Sequence, residues 1–208
     1  MSQTSQTNQT SLIINNTGSD TLVVSFAGHD LVFGLIPRFE FFNFFEKHFT
    51  HIDRHFYVDM SKTCYHKGIT GITTTIDETV AYLKEKIAPY KTVLFLGISS
   101  GGYAAILFGS LLRVTSVFAF IPQTHLRERV TNESYRDIAP YINDTTVYEL
   151  YGDLSAKNEK GFHHISHCER IGHHKNVTII RQPNFNLKRM RDNGELYAII
   201  TRLLTNPA

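Results

Sequence analysis

Short β-branched and aromatic runs alternate along the chain with stretches whose apolar residues recur at helical spacing. The strand-like runs fall at residues 21–27 (TLVVSFA), 55–60, 92–98 (TVLFLGI), 114–121, 145–151 and 177–181. Their near-continuous apolar character suits strands covered on both faces, because a strand with one wet face would alternate strictly. Between them, Ile76, Val80, Leu83 and Ile87 form one stripe in IDETVAYLKEKI, with Asp77 and Glu78 in the first turn, where the helix dipole favours negative charge. Further helices are expected at 38–48, 102–112, 162–171 and 187–204. This strand–helix alternation predicts an α/β fold with a mostly parallel central sheet and helices on both faces.

No linker or repeat interrupts residues 12–208, which are expected to form one domain without a large lid. Residues 1–11 (MSQTSQTNQTS) are polar throughout and are expected as a disordered lead-in, with no signal peptide. Of 208 residues, 42% are hydrophobic and 19% charged, so the rest of the chain has the apolar content to fold. A net charge of +2 is too small to supply the field of a sequence-independent nucleic-acid binder. Apolar runs are far shorter than the roughly 18 residues that span a bilayer, so no membrane span is expected. Cys64 and Cys168 form no C-x-x-C pair, both are expected as thiols, and the expected compartment is the cytoplasm.

The run 92–98 leads directly into Gly97-Ile98-Ser99-Ser100-Gly101-Gly102 and then YAAILFGSLL. This is G-x-S-x-G between a strand and a helix, the setting in which a serine is presented on a sharp turn with glycines allowing close backbone passage. Ser99 is the candidate nucleophile, and the helix N-terminus behind it favours developing negative charge. Ser100 is the candidate for one backbone oxyanion donor. The first clear strand ends in Phe26-Ala27-Gly28-His29-Asp30, where His29 or Asp30 can supply the second, with Gly28 beside the substrate. Tyr103, His125 and the pair Tyr65-His66 are candidate cleft residues.

With SFAGHD, GISSGGYAAILFG, FAFIPQT and LKRMRDNGEL in place, the sequence resembles the α/β-hydrolase superfamily over nearly all of residues 20–204. More narrowly it resembles small bacterial-type members associated with polysaccharide assembly. The resemblance implies the α/β-hydrolase fold, a Ser, acid, His triad in that chain order, and action on esters or related acyl groups, including glycan deacylation, with no metal or cofactor. The implied partner is a small-molecule or glycan acyl substrate. The small size suggests an open, shallow pocket.

The acid is expected after the strand 145–151, at Gly152-Asp153, which makes Asp153 the favoured candidate and Glu159 the substitute. The segment where some relatives place their acid reads Phe162-His163-His164. The resemblance puts the base in the loop Gln182-Pro183-Asn184-Phe185-Asn186, with Asn186 where histidine would stand; no histidine follows His174. An amide cannot take the serine proton. Three explanations stand side by side: Asn186 replaces a natural histidine by design, the protein binds a ligand without turnover, or another histidine reaches Ser99, with His29 and His125 the candidates.

Histidine is abundant, 11 in all. His163 and His167 are four apart and would share a helix face, a spacing that can hold zinc, but no further ligand motif accompanies them, so a solvated helix face is expected. His48, His51 and His55 read as surface or interface residues. Lys188, Arg189 and Arg191 either form a solvated face or meet an anionic group of a substrate.

Overall fold

The apolar runs form the strands of one sheet in a computed structural model that describes residues 3–7, 10–16, 18–29, 32–33, 36–37, 39–156 and 163–205. The strands are β1 (Gln3–Thr7), β2 (Ser11–Asn16), β3 (Thr21–Phe26), β4 (Val32–Phe33), β5 (Ile36–Pro37), β6 (Asp53–Tyr57), β7 (Thr92–Ile98), β8 (Ser116–Phe120), β9 (Val147–Asp153) and β10 (Val177–Gln182). The helices are α1 (Phe42–His48), α2 (Ile76–Ile87), α3 (Ser100–Leu112), α4 (Ser166–Glu169), α5 (Leu187–Asp192) and α6 (Glu195–Thr205). Eight strands pair in the order β1-β2-β6-β3-β7-β8-β9-β10, while β4 and β5 form a separate ribbon. From β6 to β10 every pairing is parallel, and β1–β2 and β2–β6 are antiparallel.

Alternation along the buried strands divides the core into two layers. Leu22, Val24, Phe26, Val93, Phe95 and Val117 face the layer that contains Leu83 of α2, Ile106 of α3 and Cys168 of α4. Val23, Leu94, Leu96, Phe118 and Phe120 face Phe45 of α1, Met190 of α5 and Ile200 of α6. Helix α3 is buried from Ser100 to Ser110 without a break, which its small residues permit. Helix α2 begins as its composition predicts, with the Thr75 side chain accepting from the Glu78 N–H at 3.1 Å.

Several boundaries differ from expectation for local reasons. Gln3–Thr7 lie in β1 paired to β2, not in a disordered lead-in, because a backbone ladder requires no apolar side chain. The helix expected at 162–171 is only the single turn of α4; residues 157–162, with Glu159 and Phe162 among them, lie outside the described residues. The helix expected at 187–204 is two helices, since the Asn193 side chain accepts from the Glu195 N–H at 3.0 Å and starts α6 afresh. His55 is buried in β6, not on the surface: it bonds Asn15 at 3.0 Å, and burial pulls its pKa down to about 3.

Helix α6 is fastened to β9 by Arg202, whose Nη2 donates to the two oxygens of the buried Glu149 at 2.8 and 2.6 Å. Arg202→Ala strands this carboxylate and is expected to lower unfolding free energy by about 1.5–3 kcal/mol in a urea titration. The double change Glu149→Met with Arg202→Met should recover most of that loss, because it removes the unpaired charge together with its partner.

Candidate active site

Ser99 follows β7 directly and caps α3 with φ 54 and ψ −117, a conformation that costs a non-glycine residue about 1–3 kcal/mol and persists only when its surroundings enforce it. Those surroundings are explicit. The Ser99 N–H donates to the Phe120 carbonyl at the end of β8, and the Ser99 carbonyl accepts from Tyr103 N–H, both at 3.0 Å. A Cβ on Gly97 would lie 2.2 Å from the Gly101 carbonyl oxygen, and one on Gly101 would lie 2.1 Å from that of Phe26. The two glycines of G-x-S-x-G are therefore where strand, helix and the neighbouring strand touch through backbone.

The Ser99 hydroxyl meets His163, with Oγ to Nε2 at 2.8 Å. Neither His29 nor His125, the histidines expected as displaced bases, makes this contact. His29 stays at the end of β3, where its Nδ1 accepts from Arg129 Nη1 at 3.3 Å, and His125 forms a backbone bridge with Asp137. Asn186 lies in the loop before α5, as the resemblance implied, but its side chain caps that helix and accepts from Arg189 N–H at 2.9 Å. Asp153 ends β9, half-buried, and its Oδ1 accepts from Ser155 N–H at 2.8 Å. A parallel backbone bridge from Asp153 to His164 draws the chain just after His163 alongside it. Asp30 lies outside the described residues.

Sequence reasoning passed over His163 because it read the histidine cluster as one helix face. Helix α4 starts only at Ser166, so His163 and His167 do not share a face. Each neighbour has separate work: His164 Nδ1 accepts from Ser166 N–H at 3.2 Å, and His167 Nδ1 accepts from Thr124 N–H at 3.2 Å. Among the described residues no group of three or more His, Cys, Asp or Glu side chains is placed to hold a metal ion. The available signal was chain order, since His163 follows both Ser99 and Asp153.

Three expected cleft residues belong to the core. Tyr103 and Tyr65 are fully buried, and His66 is buried with its Nε2 2.9 Å from the Tyr103 hydroxyl. Burial holds the His66 pKa down at about 4. Gly28, in contrast, stays at the sheet edge: its N–H donates to Glu40 Oε2 at 3.1 Å, and its Cα faces the Ile98 carbonyl. Burial pushes the Glu40 carboxyl up to about 7 although this bond pulls the other way. Glu40 also lines a cavity of about 290 Å³ with Phe39, Phe41, Phe42, Lys188 and Arg191.

The sequence matches no protein-family model and no curated protein. Its fold, however, is shared by solved structures. The capsule O-acetyltransferase of Neisseria meningitidis serogroup A is 13% identical at a TM-score of 0.65, covering 95% of this chain and 94% of that one. FphF, a fluorophosphonate-binding serine hydrolase of Staphylococcus aureus, is 9% identical at 0.62 over 98% of each chain. MGS-MChE2, an α/β hydrolase enzyme from a lagoon-sediment metagenome, is 13% identical at 0.57 over 96% of each. With its parallel sheet, its strained serine turn between β7 and α3 and these neighbours, the chain has the α/β-hydrolase fold.

Proposed function

We propose that the protein is a serine hydrolase of esters, with Ser99 the nucleophile, His163 the general base and Asp153 the acid of the triad. The observation that carries this reading is the 2.8 Å contact between Ser99 Oγ and His163 Nε2 on a serine held in a strained turn. A hydrogen-bonded pair of this kind is what activates a hydroxyl nucleophile. The order Ser99, Asp153, His163 also keeps the chain order of α/β-hydrolase triads. Asn186 then marks no missing base, because the base comes from the loop after β9.

In the reaction, Ser99 Oγ attacks the ester carbonyl carbon and His163 Nε2 takes the hydroxyl proton. The resulting oxyanion is received by the backbone N–H groups of Ser100 and His29; that of Ser100 lies in the first turn of α3, where a helix supplies no intrahelical acceptor. His163 returns the proton to the leaving alkoxide, releasing the alcohol and leaving acyl-Ser99. Water, deprotonated by His163, then cleaves the acyl-enzyme and restores the serine.

We take as substrate pocket the cavity of about 290 Å³ lined by Glu40, whose Oε2 accepts from Gly28 N–H, and its size favours a small acyl group or one sugar ring over a long lipid chain. Its lining combines phenylalanines with Glu40, Lys188 and Arg191, and the two cations suit a polar, anionic substrate such as an acidic O-acylated glycan. The fold neighbour named as a capsule O-acetyltransferase supports acyl-group chemistry as the setting. No described helix is long and apolar enough to cross a membrane, and the two buried free thiols, Cys64 and Cys168, suit the reducing cytoplasm, where we place the protein.

A fluorophosphonate is expected to label Ser99, detected by intact mass, and to leave Ser99→Ala unlabelled. His163→Ala should lower kcat on p-nitrophenyl acetate by roughly a thousandfold or more, whereas Asn186→His leaves it unchanged. An unlabelled wild-type protein, or a His163→Ala variant as fast as wild type, overturns the assignment. If Lys188 and Arg191 receive an anionic group, replacing both by Gln raises KM for a p-nitrophenyl ester of a dicarboxylic acid by about three- to tenfold and leaves KM for the acetate unchanged.

A further inference from the structure

The Ala27–Gly28 peptide, one residue before the proposed oxyanion donor, is gripped at both of its polar atoms. Its N–H, on Gly28, donates to Glu40 Oε2 at 3.1 Å. Its carbonyl, on Ala27, lies 3.1 Å from the Tyr65 hydroxyl, which also lies 3.0 Å from the Tyr57 carbonyl and shares its one proton between the two. These partners come from opposite layers: Tyr65 belongs to the core layer of α3, and Glu40 precedes α1 on the other face.

Each partner is itself fixed at a cost in backbone conformation. Tyr65 has φ 62 and Cys64 before it φ 55, both in the left-handed region that side chains avoid. Asp59 holds that turn, its Oδ2 accepting from Thr63 N–H at 2.8 Å and Tyr65 N–H at 2.9 Å. On the other side Phe41, next to Glu40, has φ 64, and the Ser25 hydroxyl of β3 donates to the Glu40 backbone carbonyl at 3.1 Å. Strained residues that converge on one loop at the catalytic edge point to a positional role for that loop.

We propose that Glu40 and Tyr65 are positioning residues that lock the Ala27–Gly28 peptide, and through it the direction of the His29 N–H, before substrate arrives. The inference rests on the hydrolase reading above. A peptide free to rotate about its flanking bonds would carry the next N–H away from the oxyanion, and donors act in catalysis through being held where charge develops. With N–H and carbonyl tied to separate core layers, rotation breaks two bonds at once. Gly28 allows the close passage to the Ile98 carbonyl, where a Cβ would come within 3.1 Å. Burial keeps the Tyr65 hydroxyl protonated by raising its pKa, so it remains a donor.

The test compares Glu40→Ala, Glu40→Gln and Tyr65→Phe with wild type, below the melting temperature of each, on p-nitrophenyl acetate and with phenylboronic acid as a tetrahedral analogue. Glu40→Ala and Tyr65→Phe should lower kcat by about ten- to hundredfold, Tyr65→Phe with KM unchanged, and both should weaken phenylboronic acid in proportion. Glu40→Gln keeps a carbonyl acceptor for Gly28 and should restore most of the rate. The proposal falls if Glu40→Ala and Tyr65→Phe retain wild-type kcat, if phenylboronic acid binds them as tightly as wild type, or if Glu40→Gln is as slow as Glu40→Ala. These failures differ from that of the hydrolase reading, in which wild type itself neither labels at Ser99 nor turns over.

Discussion

Gly101 sits against the Phe26 carbonyl and Gly97 against the Gly101 carbonyl, so close that a single methyl at either position would collide with backbone. This three-way approach of β3, β7 and the first turn of α3 sets the geometry of the whole edge. It forces the chain to reverse within one residue, which puts Ser99 at φ 54. It also brings the end of β3, and hence the loop Ala27-Gly28-His29, beside the serine. A helix separated from its strands by ordinary side chains would stand too far off to do either.

Strain is concentrated at that same edge. Positive φ recurs at Phe41, Cys64, Tyr65, Ser99 and Ile121, all of them in the connections that follow β3, β6, β7 and β8. A parallel sheet gathers the carboxyl ends of its strands on one side, and chains leaving those ends must turn sharply to reach the covering helices. The buried apolar layers, with Phe26, Phe95 and Phe118 fully enclosed, provide the burial that tolerates these turns.

The histidine that meets Ser99 comes from the segment after β9, and the last loop has other work. Asn186 becomes a helix cap, and α5 turns Lys188 and Arg191 toward a cavity shared with Glu40. His163 is in turn placed by its surroundings: the backbone bridge from Asp153 to His164 and the bonds from Thr124 to His167 tie the segment to β9 and to the end of β8. Ser99 thus follows β7 while the chain at His164 is bridged to the end of β9, and the contact between Ser99 and His163 reaches across the end of β8.

The sequence by itself determined the fold class, the positions of the parallel strands within a few residues, and the sharp turn at Ser99, because burial on both faces and backbone collision act locally and leave apolar runs and paired glycines in the text of the chain. Composition likewise argued against a sequence-independent nucleic-acid partner. Only the tertiary structure decided which histidine meets Ser99. His163 lies 64 residues along the chain from it, in a segment whose helix begins later than its pattern suggests, and no periodicity records a contact made across strand ends. The same holds for Tyr65 and Glu40, which look like an ordinary aromatic and an ordinary acid until folding brings them to the two ends of one peptide bond.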